Sequence, residues 1–404
     1  MPDYQIRTLD DADIAAADAL FLGTLHLPPT AAEQLDNLRP SYVPGRALGA
    51  FDGDELVGTA MSYPSALAVP GGAVPRMGAV SRIGVRADHT RRGILTALQR
   101  RQLSSLVEQG DVIATLRASE ATIYGRFGYG VAERVRSITV NPSTAEIRPD
   151  LPRVGRTRLI DAAEAETLLP ALYEQIGLRR PGMMTRPAGL WGIWRVRETK
   201  LDGLARTAVH TNADGVADGF VTYRAVKSGG FRAELRVEDL HGATPTAIRE
   251  LWRFLIGLDL TAVIKAGSQP LDDPLEWSLV DRRAVGVDGV TDSTWLRLLD
   301  VSAALAARSY GDAEPVVIEL VDDLLPANTG RYRVGADGAR RTEATADLVM
   351  GVAALGALYL GDVAPSTLAE NGLITWSGEP GQAALGRADR LFRTPTPPYC
   401  GTFF

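Results

Sequence analysis

The sequence has 404 residues, of which 45% are hydrophobic and 23% are charged. Because a domain takes about 100–200 residues, this length predicts about two to four globular domains. The net charge of −6 disfavours a nucleic-acid-binding protein, which needs a basic face for phosphates, and does not favour binding to anionic membranes. Cys400 is the single cysteine, so an intrachain disulfide is excluded, as is typical of a reducing cytoplasm.

Targeting and metal-binding motifs are also missing from the sequence. The first residues, MPDYQIRTLDDADI, lack an apolar core, which predicts no secretory signal. No apolar run reaches the roughly 18 residues of a membrane span, so we expect a cytoplasmic protein. The histidines stand singly and form no HExxH motif, which predicts no metal site. Serine-hydrolase and P-loop motifs are absent, which disfavours those chemistries.

The first third of the chain has the pattern of a mixed α/β domain. Apolar runs on both sides of Asp52-Gly53 indicate a hairpin, and Gly110 stands where a helix would end. In chain order we predict a strand at 5–9, a helix from Asp10 or Asp11 to Leu22, a hairpin at 46–60, a strand at Met77–Val85, a helix from Gly93 to about Glu108 and a strand at Val112–Leu116.

The same order of elements returns after a connector marked by Pro142, Pro149 and Pro152, which predicts a second copy of the fold. The strand-to-helix turn of this copy, residues 240–245, lacks the paired arginines of the first copy, so we expect no cofactor there. The repeated elements are a strand at 156–160, a helix start at 161–163, strands at 219–225 and 231–239, a helix at 246–258 and a strand at 261–265.

A third unit is predicted to begin around residues 294–299, with strands and an apolar helix at 352–360. Three prolines in residues 394–404 favour a stiff, extended tail. Since a free terminus is usually polar, we expect Phe403 and Phe404 to be buried and to anchor the tail. The predicted strands of this unit are 316–320, 331–334 and 346–349, and the predicted domains are 1–145, 146–290 and 291–404.

The strongest local signal is the segment Ile83–Leu95, which combines a strand end, a basic turn and a glycine at a helix start. Unpaired N–H groups at a helix N-terminus attract phosphate, Gly93 permits close approach of the backbone, and Arg91 and Arg92 supply charge-assisted hydrogen bonds. The free edge of the strand can pair with an extended ligand arm such as pantetheine. From the residues alone, a solvated basic turn before an amphipathic helix explains the pattern equally well.

A second signal is the stretch RASEATIYGRFGYG, residues 117–130. Ser119 and Glu120 can begin a short helix, which the glycines would end in a turn. A tyrosine hydroxyl, with an ordinary pKa of about 10, is protonated at neutral pH and can donate a proton to a leaving thiolate. Tyr124 and Tyr129 are the candidates, and the alternative is that both are core aromatics with satisfied hydroxyls.

These motifs resemble those of a known family. The segment Ile83–Leu95 resembles the acetyl-CoA motif of the GNAT superfamily of N-acetyltransferases, Q/R-x-x-G-x-G/A, with Thr90 in its first position. Over nearly the whole chain the sequence resembles the Eis (enhanced intracellular survival) family, through RASEATIYGRFGYG, WLRLLDVSAALAAR, ALYLG, STLA and the aromatic C-terminus. The resemblance implies an α/β fold in which tandem GNAT domains precede a sterol-carrier-protein-like domain.

The resemblance also implies roles for individual residues. The tyrosine that opens YGRFGYG in the family is the general acid, which falls on Tyr124, and the terminal carboxylate is the general base, which falls on Phe404. The family forms homohexamers and transfers acetyl directly from acetyl-CoA to amines, including aminoglycosides and lysine, so Cys400 is interpreted as an incidental thiol. The implied cofactor contacts are Ile83, Gly84, Val85, Thr90, Arg91, Arg92, Gly93, Ile94 and Ser119.

The substrate pocket departs from that of relatives that acetylate several positions. They place an acid beside the terminal residue, where this chain has Phe403, and the segment Leu20–Pro28 contains no acid. Fewer carboxylates attract a polycation less, so we expect a narrower or more hydrophobic amine. Other interpretations are a lipid-binding or regulatory protein with a vestigial transferase domain, an aminoacyl or peptidoglycan-bridge transferase, and a protein-lysine acetyltransferase.

Overall fold

The computed structural model describes residues 4–198, 200–227, 230–376 and 378–404, which form three β-sheets flanked by helices. The strands are β1 Gln5–Thr8, β2 Ala47–Asp52, β3 Glu55–Ala66, β4 Arg76–Val85, β5 Ile113–Leu116, β6 Gly130–Val131, β7 Arg134–Val140, β8 Arg156–Ile160, β9 Leu204–Thr211, β10 Ala217–Val226, β11 Ala233–Gly242, β12 Thr261–Gln269, β13 Val285–Asp292, β14 Trp295–Leu298, β15 Val316–Val321, β16 Gly330–Gly335, β17 Gly338–Arg341, β18 Leu348–Gly351 and β19 Ile374–Thr375. The helices are α1 Ile14–Thr24, α2 Leu35–Leu38, α3 Ile94–Glu108, α4 Ala121–Tyr124, α5 Ala162–Ile176, α6 Ala188–Glu198, α7 Pro245–Ile256, α8 Val301–Ala307, α9 Val352–Leu358, α10 Pro365–Glu370 and α11 Gly378–Phe392.

The first sheet has the strand order β1-β2-β3-β4-β5-β14-β6. Strand β14 enters it from far along the chain and pairs antiparallel with β5 and with β6, so that Trp295 lies opposite both Leu116 and Val131. The prediction that residues 294–299 begin the third unit is therefore wrong for this strand. The physical reason is that all four residues of β14 are buried, as a strand covered on both faces requires.

The second sheet has the order β13-β7-β12-β11-β10-β9-β8, so β7 crosses from the first predicted domain into the second. The two crossing segments pair with each other: Ala132 N–H donates to the carbonyl of Thr294 at 2.9 Å, and Ser293 N–H donates to that of Glu133 at 2.9 Å. The strands are thus exchanged between sheets, and the division of the chain at residues 145 and 290 stays a prediction.

The third sheet has the order β17-β16-β15-β18-β19. Its core is continuous with that of the first sheet, since Met77 on β4, Leu296 on β14, Ile318 on β15 and Leu355 on α9 belong to one buried cluster. Within the described ranges, no helix is long and apolar enough to cross a bilayer. In the same ranges, no group of three or more His, Cys, Asp or Glu side chains is arranged to hold a metal ion.

A buried ion pair joins the first sheet to the third domain. Arg297 on β14 donates to both carboxylate oxygens of Asp322, at 2.7 and 2.8 Å, and the two side chains are 0% and 1% exposed. Arg297 Nε also donates to the carbonyl oxygen of Phe127 at 3.0 Å, and Asn328 donates to Asp322 at 2.9 Å. Because Phe127 follows Tyr124 in a short turn, this pair also fixes the tyrosine segment.

We predict that Asp322→Ala lowers the free energy of unfolding by about 3–5 kcal/mol, because it leaves the guanidinium of Arg297 buried without its partner. Urea denaturation monitored by tryptophan fluorescence measures this loss. The matched control is Asp337→Ala, which removes an exposed pair with Arg333 of the same 2.8 Å length and should cost about 0–1 kcal/mol. Equal losses for the two variants would contradict the importance of the buried pair.

Candidate active site

Strand β4 is irregular near its carboxyl end. Its pairing with β3 shifts between the Gly84 and Ser81 partners, and Arg82 inside this bulge has φ 53°. The guanidinium of Arg82 is buried, pairs with Asp18 of α1 and lies over the ring of Phe21 at 4.9 Å. A bulge changes the direction of the backbone that follows it, which here is the predicted cofactor segment.

The turn after β4 leaves the start of α3 open. Residues 90–93 are exposed, Arg91 has φ 61° and Gly93 has φ 87°. A Cβ added at Gly93 would meet no described atom within 4 Å. Because glycine has no side chain to cap α3, the first N–H groups of the helix remain available to an anion. The exposed turn, with its two arginines, therefore fits a pyrophosphate.

The base of this turn is braced by polar contacts. His89 is buried, with Nδ1 3.2 Å from the hydroxyl of Tyr4 and Nε2 3.1 Å from Arg86. Arg86 also binds Asp88 at 2.7 Å and Glu55. These contacts hold the loop between β4 and α3, so His89 has a structural position here.

Strands β4 and β5 diverge next to the same turn. Their parallel pairing joins Met77–Ala79 to Ile113–Thr115, after which β4 continues to Val85 while β5 ends at Leu116. The edge of β4 beyond Ala79 is therefore no longer paired to β5. An extended arm with amide groups can bind such an edge as an added strand would.

The two candidate tyrosines lie side by side in different surroundings. Their ring centroids are 6.1 Å apart in an edge-to-face arrangement. Tyr124 is 7% exposed, and burial, together with the nearby Glu120, raises its pKa to about 12. Tyr129 is 1% exposed, and its hydroxyl has no hydrogen-bond partner within the part of the chain that the structure describes. Tyr124 is therefore the better placed proton donor.

The C-terminal tail is anchored differently from the prediction. Phe403 is 52% exposed, whereas Thr402 is 0% exposed, and Phe404 packs partly buried against the main core. The expected anchoring by two phenyl groups is wrong for Phe403, because polar groups hold the tail instead. The carbonyl of Thr402 accepts from Arg117 Nε at 3.1 Å and Nη2 at 2.8 Å, and the carbonyl of Phe403 accepts from Trp194 Nε1 at 2.8 Å.

The end of the tail is surrounded by arginines and aromatic rings. The guanidinium groups of Arg197 and Arg117 lie 4.1 and 5.6 Å from the ring centroid of Phe403. Burial lowers the pKa of Arg197, and the charges of Arg117 and Arg224 act in the same direction, against Glu238. The surroundings of Phe403 therefore favour an aromatic group over an additional positive charge.

The residues that hold the tail were not predicted from the sequence, although the tail itself, the turn before α3 and the tyrosine segment were. Arg117 directly follows the buried strand β5, and a polar residue at the carboxyl end of a central strand is a signal that could have identified it. The segment Ile83–Ile94 begins on β4 and runs through the turn to α3, and the stretch from Ser119 to Tyr124 follows β5 as a loop and α4. The terminal residues reach the same region through Arg117.

Comparisons with known proteins agree with this architecture. A family model described as an acetyltransferase (GNAT) domain matches residues 5–132, a second model of the same description matches residues 182–298, and a sterol carrier protein domain matches residues 301–401. An N-acetyltransferase of Streptomyces avermitilis is 34% identical over 418 residues, covering 100% of this chain and 99% of the relative.

Relatives named Eis are also found. N-acetyltransferase Eis of Mycobacterium bovis is 34% identical over 363 residues, 86% of each chain. The solved structure of Eis1 from Mycobacterium abscessus has 40% identity and a TM-score of 0.89, covering 99% of this chain and 100% of that one. A GCN5-related N-acetyltransferase from Anabaena variabilis, at 18% identity and a TM-score of 0.84, shares the fold. With its two GNAT domains and its sterol-carrier-like domain, the chain belongs to the Eis family of N-acetyltransferases, enzymes that use acetyl-CoA.

Proposed function

We propose that the first GNAT domain transfers the acetyl group of acetyl-CoA directly to a primary amine, with Tyr124 as general acid and the Phe404 carboxylate as general base. The observation that carries this proposal is the arrangement around two diverging strands: β4 leads into the open start of α3, and Arg117, directly after β5, holds the C-terminal tail. The cosubstrate supplies an activated thioester. We further propose that the protein is cytoplasmic and forms a homohexamer.

Contacts to acetyl-CoA come from three parts of the chain in this proposal. The N–H groups of Gly93 and Ile94, with the side chains of Thr90, Arg91 and Arg92, bind the pyrophosphate. The edge of β4 at Ile83, Gly84 and Val85 binds the pantetheine arm and directs an N–H at the thioester carbonyl. An N–H aimed at the oxygen where negative charge develops stabilises the transition state. Ser119, exposed before α4, completes the set.

Proton transfer is assigned to two groups with different surroundings. The raised pKa of Tyr124 keeps its hydroxyl protonated at neutral pH, so it can donate to the sulfur as the C–S bond breaks. The α-carboxylate of Phe404 is ionised at neutral pH and accepts the proton that the attacking ammonium must lose, directly or through a water.

For the amine we propose a small aryl-alkyl amine with one positive charge. The rings of Phe403 and Trp194 offer aromatic surface, while Arg117 and Arg197 repel additional cations. On the β4 side, a Cβ at Gly84 would lie 3.0 Å from Thr24 and 3.3 Å from Leu20 of α1. The side chains of α1 therefore pack closely against the part of β4 that is proposed to bind the thioester. The carboxylate of Asp18 in that helix is already paired with Arg82.

Removing the acid tests the first assignment. Tyr124→Phe should lower kcat by about 100-fold while the KM for acetyl-CoA changes little, because general acid catalysis typically contributes 10²–10⁴-fold. Steady-state kinetics with a thiol-detecting readout measures both constants. Tyr129→Phe is the matched control and should retain kcat, since it removes a hydroxyl without a described partner. A Tyr124→Phe enzyme with unchanged kcat would exclude this tyrosine as the acid.

Moving the carboxylate tests the second assignment. Adding one glycine after Phe404 keeps every side chain but displaces the carboxylate by up to about 3.6 Å, beyond hydrogen-bond reach of the amine. We expect kcat to fall by about 100-fold or more with acetyl-CoA binding retained. Calorimetry with coenzyme A and turnover assays on the same preparation separate the two effects. Full activity of the extended chain would show that the base is another group.

The charge around Phe403 predicts amine selectivity. We expect kcat/KM for a small aryl-alkyl amine to exceed that for kanamycin by about tenfold, equivalent to about 1.4 kcal/mol. Raising the salt concentration should reduce the difference in kcat/KM between the two amines, because salt screens repulsion between exposed cations. The substitution Arg197→Gln should reduce the same difference. An amine panel assayed at two ionic strengths measures this; similar turnover of both amines at low salt would contradict it.

A further inference from the structure

The second GNAT domain repeats the strand divergence of the first. Its strands β11 and β12 pair in parallel, and the last paired residues are Val237 and Ala266. Strand β11 then continues to Gly242 and is followed by α7, just as β4 continues past its last pair and is followed by α3. The second domain therefore has a cleft at the position where the first domain presents its cofactor segment.

Residues 399–402 of the tail bind both strands beyond that divergence. On the β12 side, the hydroxyl of Tyr399 donates to the carbonyl of Ser268 at 2.9 Å. On the β11 side, His241 Nε2 lies 3.2 Å from the carbonyl oxygen of Gly401. Arg186 Nη2 donates to the same carbonyl at 3.1 Å. Residues 399–402 therefore fill this cleft without forming a strand or helix of their own.

The fit is close enough to be specific. Cys400 is 1% exposed, and Gly401 has φ 62°. A Cβ at Gly401 would lie 2.8 Å from His241 Cε1 and 2.8 Å from the ring of Tyr399, so only glycine is accommodated without movement. A tail that merely rested on the surface would not require such a residue.

Arg186 can bind the tail although it is buried, because a carboxylate balances its charge. Its side chain is fully buried and binds both oxygens of Asp239, at 2.7 and 3.0 Å. Burial acts to raise the pKa of Asp239, but Arg186 and His241 lower it to about 2, so the pair stays charged across physiological pH. The remaining donor Nε binds the hydroxyl of Thr402 at 3.0 Å.

We infer that the cleft of the second GNAT domain is a binding site for a peptide segment, namely the C-terminal segment of the same chain. Arg186, Asp239 and His241 are positioning residues: they dock residues 399–402 and so deliver Phe404 to the first domain. The catalytic consequence rests on the proposed role of Phe404, whereas the docking itself does not.

Cys400 makes the docking measurable in the full chain, because it is the only cysteine. Its reaction with 5,5′-dithiobis(2-nitrobenzoate) reports release of the tail, and we expect it to be slower by at least about 100-fold than that of a free peptide of residues 395–404. Thr402→Val, close in shape, removes the oxygen bound by Arg186 and should speed the reaction by about tenfold. Asp239→Asn should speed it by about 100-fold or more.

The same variants should lower kcat with little change in the KM for acetyl-CoA, in preparations whose folded fraction equals that of the unchanged protein. Tyr124→Phe is the control: it should leave the thiol protected. Thermal denaturation shows whether each variant is folded. If Asp239→Asn does not fold, Thr402→Val still tests the inference. Rapid labelling of the unchanged protein, or protection in the folded variants, would overturn the inference. If the variants lose protection of the thiol but the glycine-extended chain keeps full activity, the docking of the tail stands and only the proposed role of Phe404 is overturned.

Discussion

Glu133 is a fully buried carboxylate at the point where two chain segments change between the sheets of the two acetyltransferase domains. A carboxylate is strongly destabilising in the interior unless donors satisfy it. Here the hydroxyl of Thr294 and the N–H of Cys400, at 2.7 Å, are the donors. One group therefore joins the β6–β7 crossing, the β13–β14 crossing and the tail, so the path of the tail is determined by the exchange of strands.

Local signals predicted the elements whose ends are marked by side chains. Asp161 caps α5 by accepting from the N–H of Glu164 at 2.8 Å, as its position before an alanine-rich run indicated. Helix α6 was missed because glycines at 189 and 192 disfavour a helix. Their reason is tertiary: a Cβ at either position would lie 2.6 Å or less from backbone atoms of Ser41 and Asn37, so α6 needs glycine to pack closely.

Non-local relations could not be predicted from periodicity. The WLRL pattern of β14 indicates a buried strand but carries no information on its partner, which lies on β5, about 180 residues earlier in the chain. The segment proposed to bind the cofactor could be recognised as a candidate because its parts are contiguous. The tail contacts could not, since Arg186 and His241 lie in a domain whose missing arginines only suggested the loss of a cofactor. The absence of a cofactor from the second domain stays a prediction.

The way the tail is held also preserves the chemistry proposed for its end. Arg117 and Arg186 direct their donors at the oxygens of Gly401 and Thr402, which are neutral acceptors. An arginine bound to the terminal carboxylate would favour its charged form and make it a weaker base. The tail is thus anchored through its main chain and the hydroxyls of Tyr399 and Thr402, and the charge of Arg186 is balanced by Asp239. The contacts that anchor the tail therefore use different atoms from the carboxylate that is proposed to accept the proton.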